Sequence, residues 1–213
     1  MKYDNYIFDL DGTLLNTIED LAASCNYALR NCDMPEHTVP EIQSFVGNGI
    51  RKLMERCVPQ GVNNPKFEQA YSLFRTYYLA HNAVYTRPYD GISELLKILK
   101  SSGKGIAVVS NKFDPATKAL TKQYFGDDIT VAIGESESIR KKPSPDMVYE
   151  AIRQLSCTAD KTLYIGDSDV DIVTAKNSSL PCASVLWGFR DRSFLIAHGA
   201  TVLLSHPQDV IDL

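Results

Sequence analysis

The chain has 213 residues, of which 44% are hydrophobic and 23% are charged. These proportions are ordinary for a globular protein and exclude a disordered or fibrous chain. The 22 basic and 26 acidic residues give a formal charge of −4, without the basic excess that is typical of nucleic-acid-binding proteins. The longest aliphatic stretch, residues 106–109, is far shorter than the ~20 residues of a membrane-spanning helix. We therefore expect neither a nucleic-acid nor a membrane partner.

The N-terminal residues and the cysteines indicate the compartment. Asp4, Asp9 and Asp11 stand where an export signal would need an apolar run. The five cysteines are odd in number and widely spaced, with no CxxC pair, so they predict neither a disulfide framework nor a zinc site. We expect reduced thiols and a cytoplasmic protein.

The first part of the chain predicts one short strand followed by helices. Residues 6–10 form a β-type run that ends in acidic residues and a glycine. Residues 17–32 carry apolar residues at three- and four-residue steps and predict a helix. Asn16 and Glu19 have the spacing of a capping box at its start. Further helical segments are predicted near 40–58 and 65–83.

From Pro88 onward strands alternate with helices. Strands are predicted at 105–109, 130–133, 162–165, 183–186 and 201–204, and helices at 91–101, 115–124, 145–155 and from 169. Such alternation indicates βαβ units and a parallel sheet covered on both faces. The predicted fold class is therefore α/β. A Rossmann-like parallel core would comprise residues 1–15 and 88–213, and a helical domain of residues 16–87 would be inserted after the first strand.

Reactive side chains follow several of the predicted strands. Asp9 and Asp11 follow the first strand, Ser110 follows 105–109, and Asp167 follows 162–165; Lys142 lies in a loop after 130–133. Ligands of open parallel sheets bind at the carboxyl ends of the strands. We therefore expect these side chains to meet at one edge of the sheet.

The acidic residues of this group predict a metal site. Asp9 and Asp11 are two apart in an extended segment and point the same way, and Asp167 follows a second strand. Alone, such a pair of acids fits a turn or a helix cap equally well. Carboxylates clustered at one edge repel one another unless a cation neutralises them, and hard oxygen ligands suit Mg²⁺.

The remaining residues suit a phosphate. Lys142 can place a positive charge on a phosphate oxygen or on a carboxylate, and the neighbouring Lys141 is a rival for that role. Ser110 and the backbone N–H of Asn111 can donate hydrogen bonds to the same group. Taken singly, each of these residues is typical of a strand end or a surface. Together with the acids they form the set of groups that phosphoryl transfer requires.

Four segments carry a family resemblance. DLDGTLLNT at 9–17, VVSNK at 108–112, KKPSPD at 141–146 and GDSDVDI at 166–172 resemble, in order and spacing, the four motifs of the haloacid dehalogenase-like (HAD) phosphatase superfamily. The residues of the last three motifs are most similar to those of phosphoglycolate phosphatases. Pyrophosphatases and β-phosphoglucomutases are close relatives within the superfamily. The resemblance implies the HAD fold, with the helical insertion as a small cap domain.

The resemblance also implies a role for each motif residue. Asp9 would be the nucleophile that forms an aspartyl-phosphate. Asp11 would protonate the leaving alcohol and then take a proton from water. Mg²⁺ would be held by the Asp9 carboxylate, the Asp11 backbone carbonyl and Asp167. Ser110 and Lys142 would grip the phosphoryl group. Beyond this set, Asp171 would act as outer support.

The segment FVGNGIRKL at 45–53 lies in the predicted cap and is similar to a glycine-containing segment of phosphoglycolate phosphatases. Gly47, Asn48, Gly49 and Arg51 would present the N–H groups of a helix start to an anion, such as a carboxylate at the far end of the substrate. The alternative is a plain connection between two helices with solvated basic residues. Residues 187–190 are also similar to a family segment, and we assign them no role beyond packing.

These observations predict a Mg²⁺-dependent phosphatase for a small phosphorylated metabolite, with 2-phosphoglycolate as the leading substrate. An inorganic pyrophosphatase or a β-phosphoglucomutase-like enzyme is the alternative within the superfamily. A receiver-like module or a catalytically silent binding module is the alternative from another class, although receivers contain no long helical insertion. The chain would be a monomer or a homodimer.

Overall fold

The computed structural model describes all residues, Met1–Leu213. They form two compact units. The α/β unit comprises Met1–Asn16 and Pro88–Leu213, and the helical unit comprises Thr17–Arg87. None of the helices is both long and apolar enough to cross a membrane. All five cysteines are free thiols.

The elements follow one another along the chain as strands and helices. The strands are β1 (Asn5–Phe8), β2 (Leu15–Asn16), β3 (Arg87–Pro88), β4 (Gly105–Phe113), β5 (Val131–Glu135), β6 (Thr162–Gly166), β7 (Cys182–Val185) and β8 (Leu203–Leu204). The helices are α1 (Ile18–Arg30), α2 (Val39–Phe45), α3 (Ile50–Cys57), α4 (Phe67–His81), α5 (Ile92–Ser101), α6 (Asp114–Phe125), α7 (Asp146–Leu155), α8 (Asp169–Asn177) and α9 (Arg192–Ala197). Three short 3₁₀ turns lie at Gly61–Asn63, Ala159–Lys161 and Pro207–Val210.

A six-stranded parallel sheet organises the α/β unit, which confirms the predicted fold class. Its strand order is β5-β4-β1-β6-β7-β8. The central strand β1 pairs with β4 on one side and with β6 on the other, with Phe8 opposite both Val108 and Ile165. The strand order changes direction around β1, so the carboxyl ends of β1, β4 and β6 border one crevice. Such a crevice is where ligands of open α/β sheets bind.

The core explains why these segments are strands. Every residue of β1 and β6 is buried, as expected for parallel strands that helices cover on both faces. Ile7 of β1, Val109 of β4, Ile133 of β5 and Tyr164 of β6 pack into one cluster with Met147 of α7. Burial of this apolar surface, at roughly 25 cal/mol per Å², holds the strand ends that carry the site.

The helical unit begins differently from the sequence prediction. Asn16 lies in β2, and α1 begins at Ile18, so the capping box expected from Asn16 and Glu19 is wrong. The extended backbone of a strand removes Asn16 from the position next to the first helical turn. A capping box does start α2, where Glu41 N–H donates to Thr38 Oγ1 and Thr38 N–H donates to Glu41 Oε2 at 2.7 Å.

A buried carboxylate fixes the other end of the helical unit. Asp20 lies in the first turn of α1 and accepts hydrogen bonds from the backbone N–H groups of Tyr85 at 3.0 Å and Thr86 at 2.8 Å. Because an ionised acceptor makes stronger hydrogen bonds than a neutral one, Asp20 ties the last residues of the unit to its first helix.

Candidate active site

Asp9 and Asp11 lie in the turn that follows β1. The Asp9 N–H donates to the carbonyl of Ile165 at 2.9 Å, so the pairing with β6 continues one residue beyond the strand. Gly12 then takes a φ of +83°, a conformation that favours glycine. A Cβ at this position would overlap the carboxylate of Asp167. The glycine thus allows the turn after β1 to approach the end of β6.

Lys142 lies at the centre of the carboxylates. Its Nζ is 2.9 Å from Asp9 Oδ1 and 2.7 Å from Asp171 Oδ1, and its side chain is only 2% exposed. Burial lowers the pKa of Lys142, but the nearby Asp171 and Asp9 carboxylates outweigh burial and raise the pKa above its ordinary value. The lysine therefore stays positively charged at physiological pH.

Asp171 supports Lys142 with a full set of hydrogen bonds. Its Oδ1 accepts from Lys142 and from the Tyr164 hydroxyl at 3.0 Å, and its Oδ2 accepts from the N–H and the hydroxyl of Ser168 at 3.1 and 2.6 Å. The Ser168 contacts form the capping box of α8. Because both oxygens are engaged, Asp171 is suited to orienting Lys142.

Asp167 is held from two directions. Thr13 Oγ1 donates to its Oδ1 at 3.2 Å, and the N–H of Phe189 donates to its Oδ2 at 2.8 Å. A Cβ on Gly188 would overlap the Asp167 side chain and the Gly12 carbonyl oxygen, so this position needs glycine. The segment to which the sequence analysis assigned only packing therefore orients Asp167.

Trp187, in the same segment, binds the turn after β1. Its Nε1 donates to the carbonyl of Thr13 at 3.0 Å. This contact was not predicted from the sequence, because nothing local to residues 187–189 points to partners more than 150 positions away.

The charges of this cluster are unbalanced. Carboxylate oxygens of Asp9, Asp167 and Asp171 all lie within 4.8 Å of one another, and the Lys142 ammonium contacts two of these residues, Asp9 and Asp171. Burial raises the pKa of Asp9 to about 7 although Lys142 lowers it, and the Asp171 charge raises it further. Burial likewise raises the pKa of Asp167 well above its usual range.

This donor set fits a divalent cation. Three buried carboxylates face one ammonium group, so a +2 ion would neutralise the excess charge, and oxygen ligands are those that Mg²⁺ prefers. Asp171 is saturated with hydrogen bonds, whereas Asp9 Oδ1 receives Lys142 and the Leu10 N–H, which leaves its Oδ2 for another partner. Asp9 and Asp167 are therefore the carboxylates best placed to hold the ion.

Ser110, Asn111 and Lys112 lie where β4 becomes irregular. The register of β4 against β5 shifts between Val109 and Phe113, and such shifts re-aim side chains. The Ser110 hydroxyl accepts from the Lys112 N–H at 3.2 Å and keeps its own proton for another acceptor. The Asn111 amide bonds both backbone groups of Lys142, so its side chain faces the lysine loop.

Lys112 forms an ion pair that the sequence analysis did not foresee. Its Nζ lies 2.7 Å from Asp11 Oδ1. Side chains two apart in a strand share one face, so the placement of Ser110 at the site was a signal that Lys112 also lies there. Lys141, the rival of Lys142, pairs with Glu135 at 3.1 Å and is 40% exposed.

The predicted anion-binding loop of the helical unit lies between α2 and α3. Gly47 and Gly49 both have positive φ, and Gly49 immediately precedes α3. Asn48 Oδ1 accepts from Arg56 Nη2 at 2.7 Å, which steadies the loop. The Arg51 guanidinium forms an ion pair with Glu68 and lies over the rings of two residues of α4.

The fold and the site define an α/β protein that gathers buried carboxylates and a buried lysine at the carboxyl ends of its parallel strands. The profile described as haloacid dehalogenase-like hydrolase matches residues 6–185. The chain belongs to this family. Its fold, its family and its relatives make it a phosphoric monoester hydrolase.

Two relatives and one crystal structure are similar to this chain over almost its whole length. The phosphoglycolate phosphatase of Aquifex aeolicus is 33% identical, over 97% of this chain and 94% of the relative. The N-acetylmuramic acid 6-phosphate phosphatase of Pseudomonas aeruginosa is 29% identical, over 100% and 95% of the two chains. A crystal structure from Lactobacillus delbrueckii subsp. bulgaricus, described as a candidate phosphoglycolate phosphatase, superposes with a TM-score of 0.94 at 36% identity, covering 99% and 97% of the two chains.

Proposed function

We propose that the protein is a Mg²⁺-dependent phosphatase that hydrolyses 2-phosphoglycolate to glycolate and phosphate. The observation that carries the proposal is the pairing of Asp9 with the buried ammonium of Lys142 at 2.9 Å. This pairing offsets the negative charge of the nucleophile, so that it can approach a phosphate dianion.

Asp9 and Asp11, in the turn after β1, have different roles in the proposed reaction. An Asp9 oxygen attacks phosphorus and forms an aspartyl-phosphate, and the bond between phosphorus and the ester oxygen breaks. Asp11 gives its proton to the departing alkoxide. The Asp11 carboxylate then takes a proton from water, whose oxygen attacks the same phosphorus and releases phosphate and Asp9. Both steps balance in protons.

The other groups supply charge and position. Lys142 and the Ser110 hydroxyl bind the oxygens of the transferring group, with the Asn111 backbone N–H as a further donor. When bound by Asp9, Asp167 and the Asp11 carbonyl, Mg²⁺ neutralises the charge between nucleophile and phosphate. Uncatalysed phosphate-monoester hydrolysis needs accelerations of up to ~10²¹-fold, so preorganised charge is expected to provide most of the effect.

The substrate follows from the relatives and from the helical unit. Phosphoglycolate and N-acetylmuramic acid 6-phosphate, the substrates in the relatives' names, are both phosphomonoesters that also carry a carboxylate. We propose that the helical unit is a cap, and that residues 47–49, with Arg51, receive this second anion through N–H groups at the start of α3. A small phosphorylated metabolite in the cytoplasm is the expected partner, and the enzyme would act as a monomer or a homodimer.

A phosphate-release assay tests the proposal. The panel contains 2-phosphoglycolate, N-acetylmuramic acid 6-phosphate, pyrophosphate, a hexose phosphate and 4-nitrophenyl phosphate, each with Mg²⁺ and with excess chelator. We expect the highest kcat/KM for 2-phosphoglycolate and loss of activity with chelator. In the Asp9→Asn variant we expect kcat to fall by at least ~10³-fold. Wild-type protein that hydrolyses none of the esters would overturn the assignment.

A further inference from the structure

Lys112 is a second buried lysine at the site, separate from the cluster around Lys142. Its side chain is 1% exposed and its Nζ lies 2.7 Å from Oδ1 of Asp11, whose side chain is 15% exposed. The lysine comes from β4 and the acid from the turn after β1, 101 positions apart. A charge buried to this degree is costly unless it is paired, so the ion pair with Asp11 accounts for a cation at this place.

The backbone of Lys112 is fixed by its neighbours. Its N–H donates to the Ser110 hydroxyl at 3.2 Å, and its carbonyl accepts from Thr117 Oγ1 of α6 at 3.1 Å. On the other side, a Cβ added to Gly134 of β5 would lie 2.6 Å from the Lys112 carbonyl oxygen. The ammonium therefore starts from a rigid strand end and is preorganised toward Asp11.

Asp11 needs a partner that fixes its side chain, because it transfers a proton in both steps of the proposed reaction. In the proposed reaction it must reach the departing oxygen in the first step and a water molecule in the second. Proton transfer by a positioned group typically contributes 10²–10⁴-fold, and a side chain that is free to change rotamer loses part of that contribution. Ser110, which binds the phosphoryl group in the same reaction, is linked to the same lysine through its hydroxyl.

We propose that Lys112 is a positioning residue that orients the Asp11 side chain for proton transfer to the leaving group. The inference rests on the proposed function, since it assigns Asp11 the part of general acid. It does not require Lys112 to touch the substrate. The ammonium holds the Asp11 side chain in place and pairs with the carboxylate that remains once the acid has given up its proton, the form of Asp11 that suits the 2.7 Å ion pair.

Substrates with different leaving groups distinguish a positioning role of Lys112 from a merely structural one. A 4-nitrophenolate departs without protonation, whereas the alkoxide of 2-phosphoglycolate needs a proton from Asp11. The quantity to compare is kcat/KM, which reports the enzyme up to release of the leaving group. A variant that misplaces Asp11 should lose far more kcat/KM for the alkyl ester than for the aryl ester, while a variant that damages the whole site should lose equally for both.

The experiment uses Lys112→Met, Lys112→Arg and the control Lys118→Met, which breaks an exposed ion pair on α6. For Lys112→Met we expect kcat/KM to fall about 100-fold for 2-phosphoglycolate and less than about tenfold for 4-nitrophenyl phosphate. Lys112→Arg should recover part of the alkyl-ester loss, and Lys118→Met should match wild type. Should Lys112→Met fail to fold, Lys112→Arg still reports whether its loss is confined to the alkyl ester.

A double-mutant cycle completes the test. In an Asp11→Asn background, adding Lys112→Met should cause no further loss with 2-phosphoglycolate, because the acid that it positions is gone. Equal losses for both esters, or the same loss with and without Asp11, would overturn the role of Lys112. Wild-type protein inactive on every ester would instead overturn the proposed function, so the two failures are distinct.

Discussion

The side-chain amide of Asn111 binds both backbone groups of Lys142. Asn111 Nδ2 donates to the Lys142 carbonyl at 3.0 Å, and its Oδ1 accepts from the Lys142 N–H at 2.8 Å. Both residues are buried. The contact joins the end of β4 to the loop between β5 and α7, so the position of the Lys142 ammonium beside Asp9 depends on a residue 31 positions earlier.

Replacing Asn111 tests this connection. In Asn111→Ala the two backbone groups of Lys142 lose these buried partners, so we expect the free energy of unfolding to fall by about 1–3 kcal/mol. Displacement of Lys142 should also lower kcat/KM by about tenfold or more. Asn111→Asp sets a carboxylate oxygen against the Lys142 carbonyl and buries a further negative charge, so its loss should be at least as large. Urea denaturation and steady-state kinetics measure both effects, and an Asn111→Ala variant with wild-type values would show that the contact is dispensable.

Gly188 is expected to control the position of Asp167. In Gly188→Ala the new methyl group overlaps the Asp167 side chain and the Gly12 carbonyl, so Asp167 must move. We expect Mg²⁺ affinity to weaken by about 10–100-fold, the range for lost support of a metal ligand.

The control for Gly188→Ala is Gly103→Ala. No atom lies within 4 Å of the added carbon at Gly103, where the positive φ costs about 1 kcal/mol of stability. We expect this variant to bind Mg²⁺ like wild type in isothermal titration calorimetry. Equal Mg²⁺ affinity in both variants would contradict the role of Gly188.

Mg²⁺ binding should depend on pH, because the ion and a proton compete for Asp9. Burial raises the pKa of Asp9 to about 7 in the metal-free protein, and metal binding requires the ionised form. The dissociation constant of Mg²⁺ should therefore fall by roughly tenfold per pH unit from about 5.5 to about 7, for one proton released, and should level off toward pH 8. Calorimetry across this range checks the slope, and a constant affinity would refute the competition.

The raised pKa of Asp9 also makes the stability of the metal-free protein depend on pH. Stability should fall as pH rises, whereas Mg²⁺ affinity should increase. A carboxyl that binds its proton more tightly in the folded than in the unfolded state stabilises the fold while it is protonated. The free energy of unfolding of the metal-free protein should therefore decrease as pH rises from about 4 through about 7. Saturating Mg²⁺ should reduce this decrease, because the ion takes over the neutralising role of the proton. Denaturation series with and without Mg²⁺ make the comparison.

Asp20 and its neighbour Glu19 allow a buried carboxylate of the helical unit to be compared with an exposed one. Asp20→Ala removes the acceptor of the N–H groups of Tyr85 and Thr86, and we expect a loss of about 2–3 kcal/mol in the free energy of unfolding. Glu19→Ala removes only an exposed ion pair with Arg87 at 3.8 Å, which should cost less than about 1 kcal/mol. Equal losses in urea denaturation would refute the tie through Asp20.

The strands illustrate what local pattern can predict. Near-continuous apolar runs mark β1, β4 and β6 as strands buried on both faces, and the residues at their carboxyl ends follow directly from that assignment. The two-residue strands β2 and β3 are too short to show a period. The capping box expected at Asn16 was wrong for a related reason. Asn16 and Glu19 are residue types that suit a helix start, but the chain at Asn16 still belongs to the short strand β2.

By itself the sequence determined the fold class, the family and which strand ends carry acids, a hydroxyl and a lysine. These properties depend on neighbours along the chain, so hydrophobic pattern and motif spacing reveal them. Only the tertiary structure decided between Lys142 and Lys141, paired Lys112 with Asp11, and turned Asn111 toward the lysine loop. Each of those contacts joins segments far apart in the chain, and their approach depends on strand order, register and packing, which no local pattern records.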